Sequence, residues 1–254
     1  MLAAERQKRI ESLLEDKGTV RTVHLAEHFQ VTDETIRRDL QVLEDNKRLV
    51  RIHGGASSLK GRPKLQSFPE RRLVNVDRKR AIARCALETI RPGETYAFDS
   101  STTAFELVSL LPDQPYRVVT NAFAVIDHII GMEHVQLIST GGLYHPKTHT
   151  FNGGDGCIDT LRSHYIHTAY ISSIGFSPTR GASEGFEEQA IFKERLVKYA
   201  EKVILLIDSS KLNKQSDYFF AKVDLITQII TDSNIDPALI SEINASGIKL
   251  TIAE

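Results

Sequence analysis

Only two cysteines occur in 254 residues, Cys85 and Cys157, and they stand far apart. That spacing fits neither a CxxC metal site nor a disulfide framework, so both read as small hydrophobes in a reducing compartment. No apolar run approaches the ~18–20 residues that a bilayer crossing needs. The first residues are charged and lack the apolar core of a secretory signal, so a cytoplasmic location without membrane attachment is expected. Internal repeats and low-complexity tracts are missing as well. Net charge is −1 at pH 7, which excludes bulk attraction to nucleic acid. The near balance hides an asymmetry. Residues 1–80 carry 18 basic and 12 acidic side chains, against 14 and 21 in the remainder. A basic front on an acidic back is what a local nucleic-acid-binding head produces. The length suits a small domain followed by a medium one.

The front holds the densest pattern. Ile10, Leu13 and Leu14 mark an amphipathic helix that ends near Gly18. Thr22 is placed to cap a second helix with apolar positions Val23, Leu25, Ala26 and Phe29, and Thr32 to cap a third. In the third helix Ile36, Leu40 and Leu43 recur at helical spacing, while Asp33 and Glu34 favour its positive end. Thr35, Arg37 and Arg38 are left on or beside the outward face. Such a helix fits the major groove, where arginine pairs with guanine edges or phosphates. Leu49–Ile52 alternates like a strand and His53–Ala56 reads as a tight turn. Helix, helix, recognition helix and β-wing predict a winged helix-turn-helix over 1–56. Candidate contacts to operator double-stranded DNA are Thr22, Thr32, Thr35, Arg37, Arg38 and, in the wing, His53.

Residues 57–76, with Gly61, Pro63, Pro69 and many charges, have linker composition. Phe68 and Leu65 can pin that stretch to a surface. Arg71, Arg72, Arg78, Lys79 and Arg80 read as a solvated face entering a helix at 78–90, with contact to DNA phosphates the alternative.

From 77 to 254, short apolar runs alternate with helical patterns. Strands are expected at 96–98, 116–119, 135–139, 169–174, 203–207, 225–231 and 248–252, and a clear helix at 189–201. Such alternation predicts an α/β domain with a mostly parallel sheet, which binds ligands beyond the carboxyl ends of its strands. Those ends are polar here: Asp99, Ser100, Ser101, Thr102 and Thr103 after the first strand, Thr120 and Asn121 after the second, Gly141 and Gly142 after the third. Gly175 follows the fourth, and Asp208 to Lys211 the fifth. Hydroxyls, free N–H groups at a helix start and the Lys211 charge suit a phosphorylated sugar. Glu184, Glu187 and Glu188 precede the 189–201 helix and can cap it, with Glu187 the best ligand candidate of the three. His145, His149, His164 and His167 show no metal-ligand spacing, and neither metal nor cofactor is expected.

Val31-Thr32, Thr35-Ile36-Arg37-Arg38-Asp39-Leu40, Leu43-Glu44 and Arg51-Ile52-His53-Gly54-Gly55-Ala56 together resemble the DNA-binding domain of the DeoR family of bacterial transcription regulators. Thr32 stands where the family usually has serine. Asn46-Lys47 stands where it usually has glycine before the wing, a turn that Asn46 can make because asparagine tolerates left-handed angles. The resemblance continues over almost the whole chain, through Asp99–Thr103, Thr120-Asn121, Gly141-Gly142, Gly175 and Asp208–Lys211. Ser101 replaces the glycine usual in the first of these loops. The resemblance implies a Rossmann-like effector domain similar to ribose-5-phosphate isomerase, a sugar-phosphate effector and a homo-oligomer. Repressor is the commoner role in the family. With Gln136–Gly142, the first loop looks like the branch containing the L-fucose operon activator, which implies a deoxysugar phosphate. The competing reading is a sugar-phosphate isomerase fused to a DNA-binding head, with Asp99, Glu187 and Lys211 supplying acid–base chemistry.

Overall fold

The computed structural model describes residues 2–17, 19–52, 54–58, 67–146, 148–153 and 155–254. It divides into two compact units, 1–66 and 67–254.

Unit 1 runs α1 (Ala3–Lys17), β1 (Thr19–Arg21), α2 (Thr22–Phe29), α3 (Asp33–Asp45), β2 (Leu49–Ile52) and β3 (Gly55–Ser58). The Thr32 hydroxyl accepts from the Thr35 N–H at 3.3 Å and starts α3. Ile36, Leu40 and Leu43 then close on Ile10, Leu14, Leu25 and Ala26 in one apolar core. The strands form an antiparallel sheet in the order β1–β3–β2. At Gly55 a Cβ would lie 2.0 Å from the Val20 carbonyl oxygen, so only glycine lets β1 approach β3.

Three local expectations change. Thr22 does not cap α2: it is the first helical residue, buried, and its N–H donates to the Gly54 carbonyl at 2.8 Å. Val23 turns outward at 52% exposure because Leu25 and Ala26 take the inner face. Before the wing, the left-handed residue is Lys47 (φ 54°), whereas Asn46 stays at φ −81°. His53 lies outside the described residues.

Unit 2 begins inside the stretch read as linker. Ser57 and Ser58 already belong to β3, and α4 (Phe68–Arg72) opens on a capping box in which Ser67 and Glu70 exchange hydrogen bonds. Phe68 is buried in the core rather than resting on a surface, and Leu65 lies outside the described residues. There follow α5 (Val76–Leu87), β4 (Thr95–Phe98), α6 (Thr102–Val108), β5 (Arg117–Thr120), α7 (Phe123–Ile129) and β6 (Gln136–Ser139). A hairpin, β7 (Leu143–His145) and β8 (Thr150–Asn152), leads to α8 (Asp155–Ser163) and β9 (Ile166–Ile171). The chain continues through β10 (Gly175–Ser177), β11 (Gly181–Glu184), α9 (Glu187–Tyr199), β12 (Ala200–Leu206), β13 (Tyr218–Ala221), β14 (Gln228–Asp232), α10 (Pro237–Ala245) and β15 (Lys249–Ala253).

Seven strands make one all-parallel sheet in the order β15–β14–β12–β9–β4–β5–β6. Alternate residues serve opposite cores, as the two-residue strand period requires. Ala169, Ile171, Val203 and Leu205 pack under α8–α10, whereas Tyr170, Ile204 and Leu206 pack under α5–α7. Both faces are thereby covered, which explains why these strands read as unbroken apolar runs. A small antiparallel sheet, β10–β11–β13, lies outside the main one. Cys85 and Cys157 are free thiols, and burial raises the pKa of each. Among the described residues no helix is long and apolar enough to cross a membrane.

Strand order fixes where a site can form. The chain enters at β4, moves outward through β5 and β6, then crosses to β9 on the other side of β4 and continues outward. The loops after β4 and β9 therefore diverge, and the carboxyl ends of these two strands are the switch point at which such sheets form a ligand crevice.

Candidate functional site

In unit 1 the surface of α3 carries the candidates. Arg37 is exposed. The Arg38 side chain is 80% exposed and reaches Glu34 one turn back at 3.5 Å. Thr35 is half-buried and shares a 2.9 Å hydroxyl contact with exposed Thr32. These four lie on or near the N-terminal half of the helix, the part that meets base edges in helix-turn-helix docking. Thr22 stands apart from them, buried. On the opposite face Asp39 is also buried. It accepts from Arg6 Nε at 2.5 Å and from Gln7 Nε2 at 3.0 Å, which ties α3 to α1.

In unit 2 the switch point is built around Lys193 of α9, which is 2% exposed. Its ammonium donates to the Ser172 carbonyl at 2.7 Å, pairs with Asp99 at 3.0 Å and bonds Glu184. Burial works to lower its pKa, but Asp99 and Glu184 together raise it, so it stays charged. Asp99 is saturated: it accepts from the Ser101 and Ser172 N–H groups, both at 2.9 Å, besides Lys193. This carboxylate holds the loops after β4 and β9 in place.

Around that post the loops are buried and polar. Ser100, Ser101, Thr102, Thr103, Thr120, Asn121, Thr140, Ser172 and Ser173 are all under one-tenth exposed. Some are satisfied internally. Ser101 caps α6 by accepting from the Ala104 N–H at 3.1 Å, and Thr120 donates to the Phe98 carbonyl at 2.8 Å. Others are not. Thr103 Oγ1, Asn121 Oδ1, Ser172 Oγ and Ser173 Oγ are buried with no hydrogen-bond partner among the described residues. They line the ends of three adjacent strands, β9, β4 and β5. Gly142 is needed for a different reason from ligand approach: at φ 111° its free side meets the Asn152 backbone of β8, where a Cβ would sit 2.7 Å from the carbonyl oxygen. Gly141 (φ 68°) borders open space. Glu187 and Glu188 are exposed at the start of α9, and Glu184 is buried on Lys193.

Beside the crevice, Lys211 pairs with Asp208 at 3.4 Å. Burial alone raises the Asp208 carboxyl, yet Lys211, Ser210 and Asn75 bring it below the ordinary range. Asp232, at the end of β14, accepts from the Ser209 N–H at 2.7 Å and hydroxyl at 2.9 Å. Sequence reading missed Lys193, Ser172, Ser173, Asn75 and Asp232. It placed the fourth strand three residues too long, at Ile174, which hid Ser172 and Ser173 inside it. Gly175 consequently belongs to β10 and not to this edge, and a Cβ there would lie 2.5 Å from the Lys214 carbonyl oxygen.

A small winged helix-turn-helix joined to a parallel sheet with a polar crevice defines a DNA-binding regulator that carries a sensor. Comparison with known proteins gives the family. Residues 6–62 match the DeoR-like helix-turn-helix domain and residues 74–233 the DeoR C-terminal sensor domain. The chain belongs to the DeoR family of transcription regulators. It is 34% identical to the uncharacterized HTH-type transcriptional regulator YulB of Bacillus subtilis, over 99% of this chain and 97% of that one. It is 33% identical to the L-fucose operon activator of Haemophilus influenzae, over 86% and 88% of the two chains. With the transcriptional repressor GlcR of Bacillus subtilis it shares 30% identity over 100% and 98%. Among solved structures, ribose 5-phosphate isomerase A from Methanocaldococcus jannaschii overlaps 54% of this chain and 55% of its own at TM-score 0.41 and 15% identity, too loose a match to bear on function.

Proposed function

We propose that this regulator represses a sugar catabolic operon, with Thr35, Arg37 and Arg38 of α3 on operator DNA and a phosphorylated sugar in the unit 2 crevice setting operator affinity. One observation carries the effector half: four buried oxygens without partners at three adjacent strand ends. Each such group costs about 1–3 kcal/mol when left unpaired. A polyhydroxylated ligand supplies the missing partners, and Lys211, 30% exposed, offers charge to its phosphate. The related L-fucose operon activator supports a sugar-linked role, and the relative GlcR is a transcriptional repressor. A single recognition helix reaches few base edges, so this reading includes a homo-oligomer that places two heads on matched half-sites.

A sensor fits the crevice better than an isomerase. Isomerisation needs a carboxylate free to take a proton from the sugar. Asp99 and Glu184 are both held by Lys193, Asp208 is held by Lys211, and Glu187 is exposed. No turnover of sugar phosphates is therefore expected.

The decisive experiment screens the full-length protein by thermal shift against phosphorylated sugars, including fuculose-, rhamnulose- and tagatose-type compounds. Binding to the folded state raises Tm by mass action. At least one compound is expected to raise Tm and to change affinity for a duplex selected by the protein from a random pool. Thr102→Ala and Lys211→Ala are expected to lose that response and keep duplex affinity. A panel without any shift overturns the effector reading, and turnover of a panel member overturns the sensor reading.

A further inference from the structure

We propose that Arg71 and Lys79, together with Lys211, form a phosphoryl-binding cluster at the edge of the crevice, and that α4 thereby registers its occupancy. This deepens the effector reading and rests on it for the identity of the sugar-bearing ligand.

Both residues looked like part of a solvated basic face in the sequence. The structure turns them inward. Lys79 sits on the same face of α5 as Ile82, Ala83 and Ala86 and is 3% exposed. An ammonium has three N–H donors. Among the described residues one acceptor meets it, the Arg71 carbonyl at 2.5 Å. Arg71 is half-buried, its guanidinium 5.8 Å from the centre of the Phe68 ring, and it forms no ion pair or side-chain hydrogen bond among the described residues. The acids within its electrostatic reach, Glu184 and Asp99, share the single charge of Lys193 and make no direct contact with Arg71 among the described residues.

The surroundings of Lys79 are short of negative charge. Burial comes first in pushing its pKa down to about 8, and Lys211 and Arg71 add to it. Asp208 and Glu106 oppose them. Asp208 is engaged by Lys211 and by Asn75 Nδ2 at 3.0 Å, and Glu106 by Arg72 at 3.8 Å and Arg80 at 4.0 Å. A buried ammonium with open donors and no carboxylate of its own is stable only at a cost, which an anion with several acceptor oxygens removes. A phosphoryl group has that chemistry: up to two charges and three terminal oxygens. It can arrive on a sugar or as free phosphate.

The coupling follows from the chain path. Arg71 lies on α4, the first helix of unit 2. Asn75 (φ 52°) turns the chain from α4 into α5 and donates to Asp208 and Ser210 in the Lys211 loop, while Arg78 Nη1 donates to Ser209 Oγ at 3.0 Å. An anion gripped by Arg71, Lys79 and Lys211 thus joins α4 to the loop after β12. A ligand shifts an equilibrium only through such state-dependent contacts.

The test uses the full-length protein and calorimetric titration with inorganic phosphate, with the phosphorylated sugars of the panel and with the same sugars lacking phosphate. Arg71→Gln and Lys79→Gln are each expected to weaken binding of inorganic phosphate and of the sugar phosphate at least tenfold. Binding of the unphosphorylated sugar should stay as in wild type, and Lys79→Arg should retain most of the affinity. Saturated with the sugar phosphate, Arg71→Gln is expected to lose the change in affinity for the selected duplex. Unchanged sugar-phosphate binding in a folded Arg71→Gln variant overturns the cluster while leaving the effector reading intact. A full duplex response in that saturated variant overturns the role of α4. Wild-type protein that binds inorganic phosphate through Arg71 but no sugar phosphate upholds the cluster and removes the sugar. Should Lys79→Gln fail to fold, Arg71→Gln and Lys79→Arg still decide the matter.

Discussion

The two units place their functional groups in opposite ways. In unit 1 the recognition helix buries its apolar stripe and the Arg6–Asp39 pair, and it leaves Arg37 and Arg38 in solvent. In unit 2 the hydroxyl and amide groups assigned to ligand binding are buried, some without partners, and only the cations Lys211 and Arg71 are half-buried. The contrast follows the size of what each must meet. A DNA groove is larger than the helix, so side chains must project into it. A small metabolite is surrounded by protein, so its partners are dehydrated before it arrives.

The largest break in this comparison comes from Lys193→Met. It leaves Asp99 and Glu184 charged and buried, and removing one partner of a buried ion cluster costs about 3–5 kcal/mol. Urea unfolding of the variant is expected to show that loss, with unit 1 unaffected in a separately followed transition. Arg37→Ala and Arg38→Ala should do the reverse. Each is expected to weaken binding to the selected duplex by about 1–3 kcal/mol, roughly five- to 150-fold, with Tm nearly unchanged. Duplex affinity equal to wild type in both variants removes α3 as the reading element.

A subtler effect involves pH. The Lys79 ammonium titrates at about 8 when folded against 10.5 in its ordinary state. Between those values the unfolded chain holds the proton that the folded chain has lost, so the Lys79 contribution makes stability rise with pH. Below about pH 8 its full cost is present. The difference in unfolding free energy between wild type and Lys79→Gln is expected to shrink from pH 8 to pH 10.5. A flat difference would place Lys79 in water. The smallest effect belongs to Glu34→Gln. The exposed Glu34–Arg38 pair contributes only about 0.3–0.5 kcal/mol, so thermal unfolding should barely register its loss.

Much of this was legible from the residues. The α3 stripe, its Thr32 cap and the alternation of strands with helices follow from periodicity, and the polar strand ends from their position. Three buried charges whose roles the sequence did not show share a signature: a charge where an apolar residue belongs. Lys193 falls in step with Phe192, Leu196 and Val197, Lys79 with Ile82 and Ala86, and Asp39 with Ile36 and Leu43. Their roles stayed hidden because each partner lies outside the helix itself, where periodicity cannot pair it. Ser172 and Ser173 were lost differently. Ile174 extends the apolar run past the strand's end, yet it is 45% exposed. The small β10–β11–β13 sheet went unseen because β10 (Gly-Phe-Ser) and β11 (Gly-Ala-Ser-Glu) carry no apolar run.

Placing β4, the first strand of the sheet to be made, inside it beside β9 has a consequence for synthesis on the ribosome. Asp99 emerges early, but the lysine that neutralises it comes from α9, made only after β5, β6 and β9. A nascent chain halted before α9 keeps that carboxylate wet and its loops untethered, whatever helices have already formed. Fragments ending there are expected to be clients for chaperones, and the sensor unit is not divisible into halves that fold in turn.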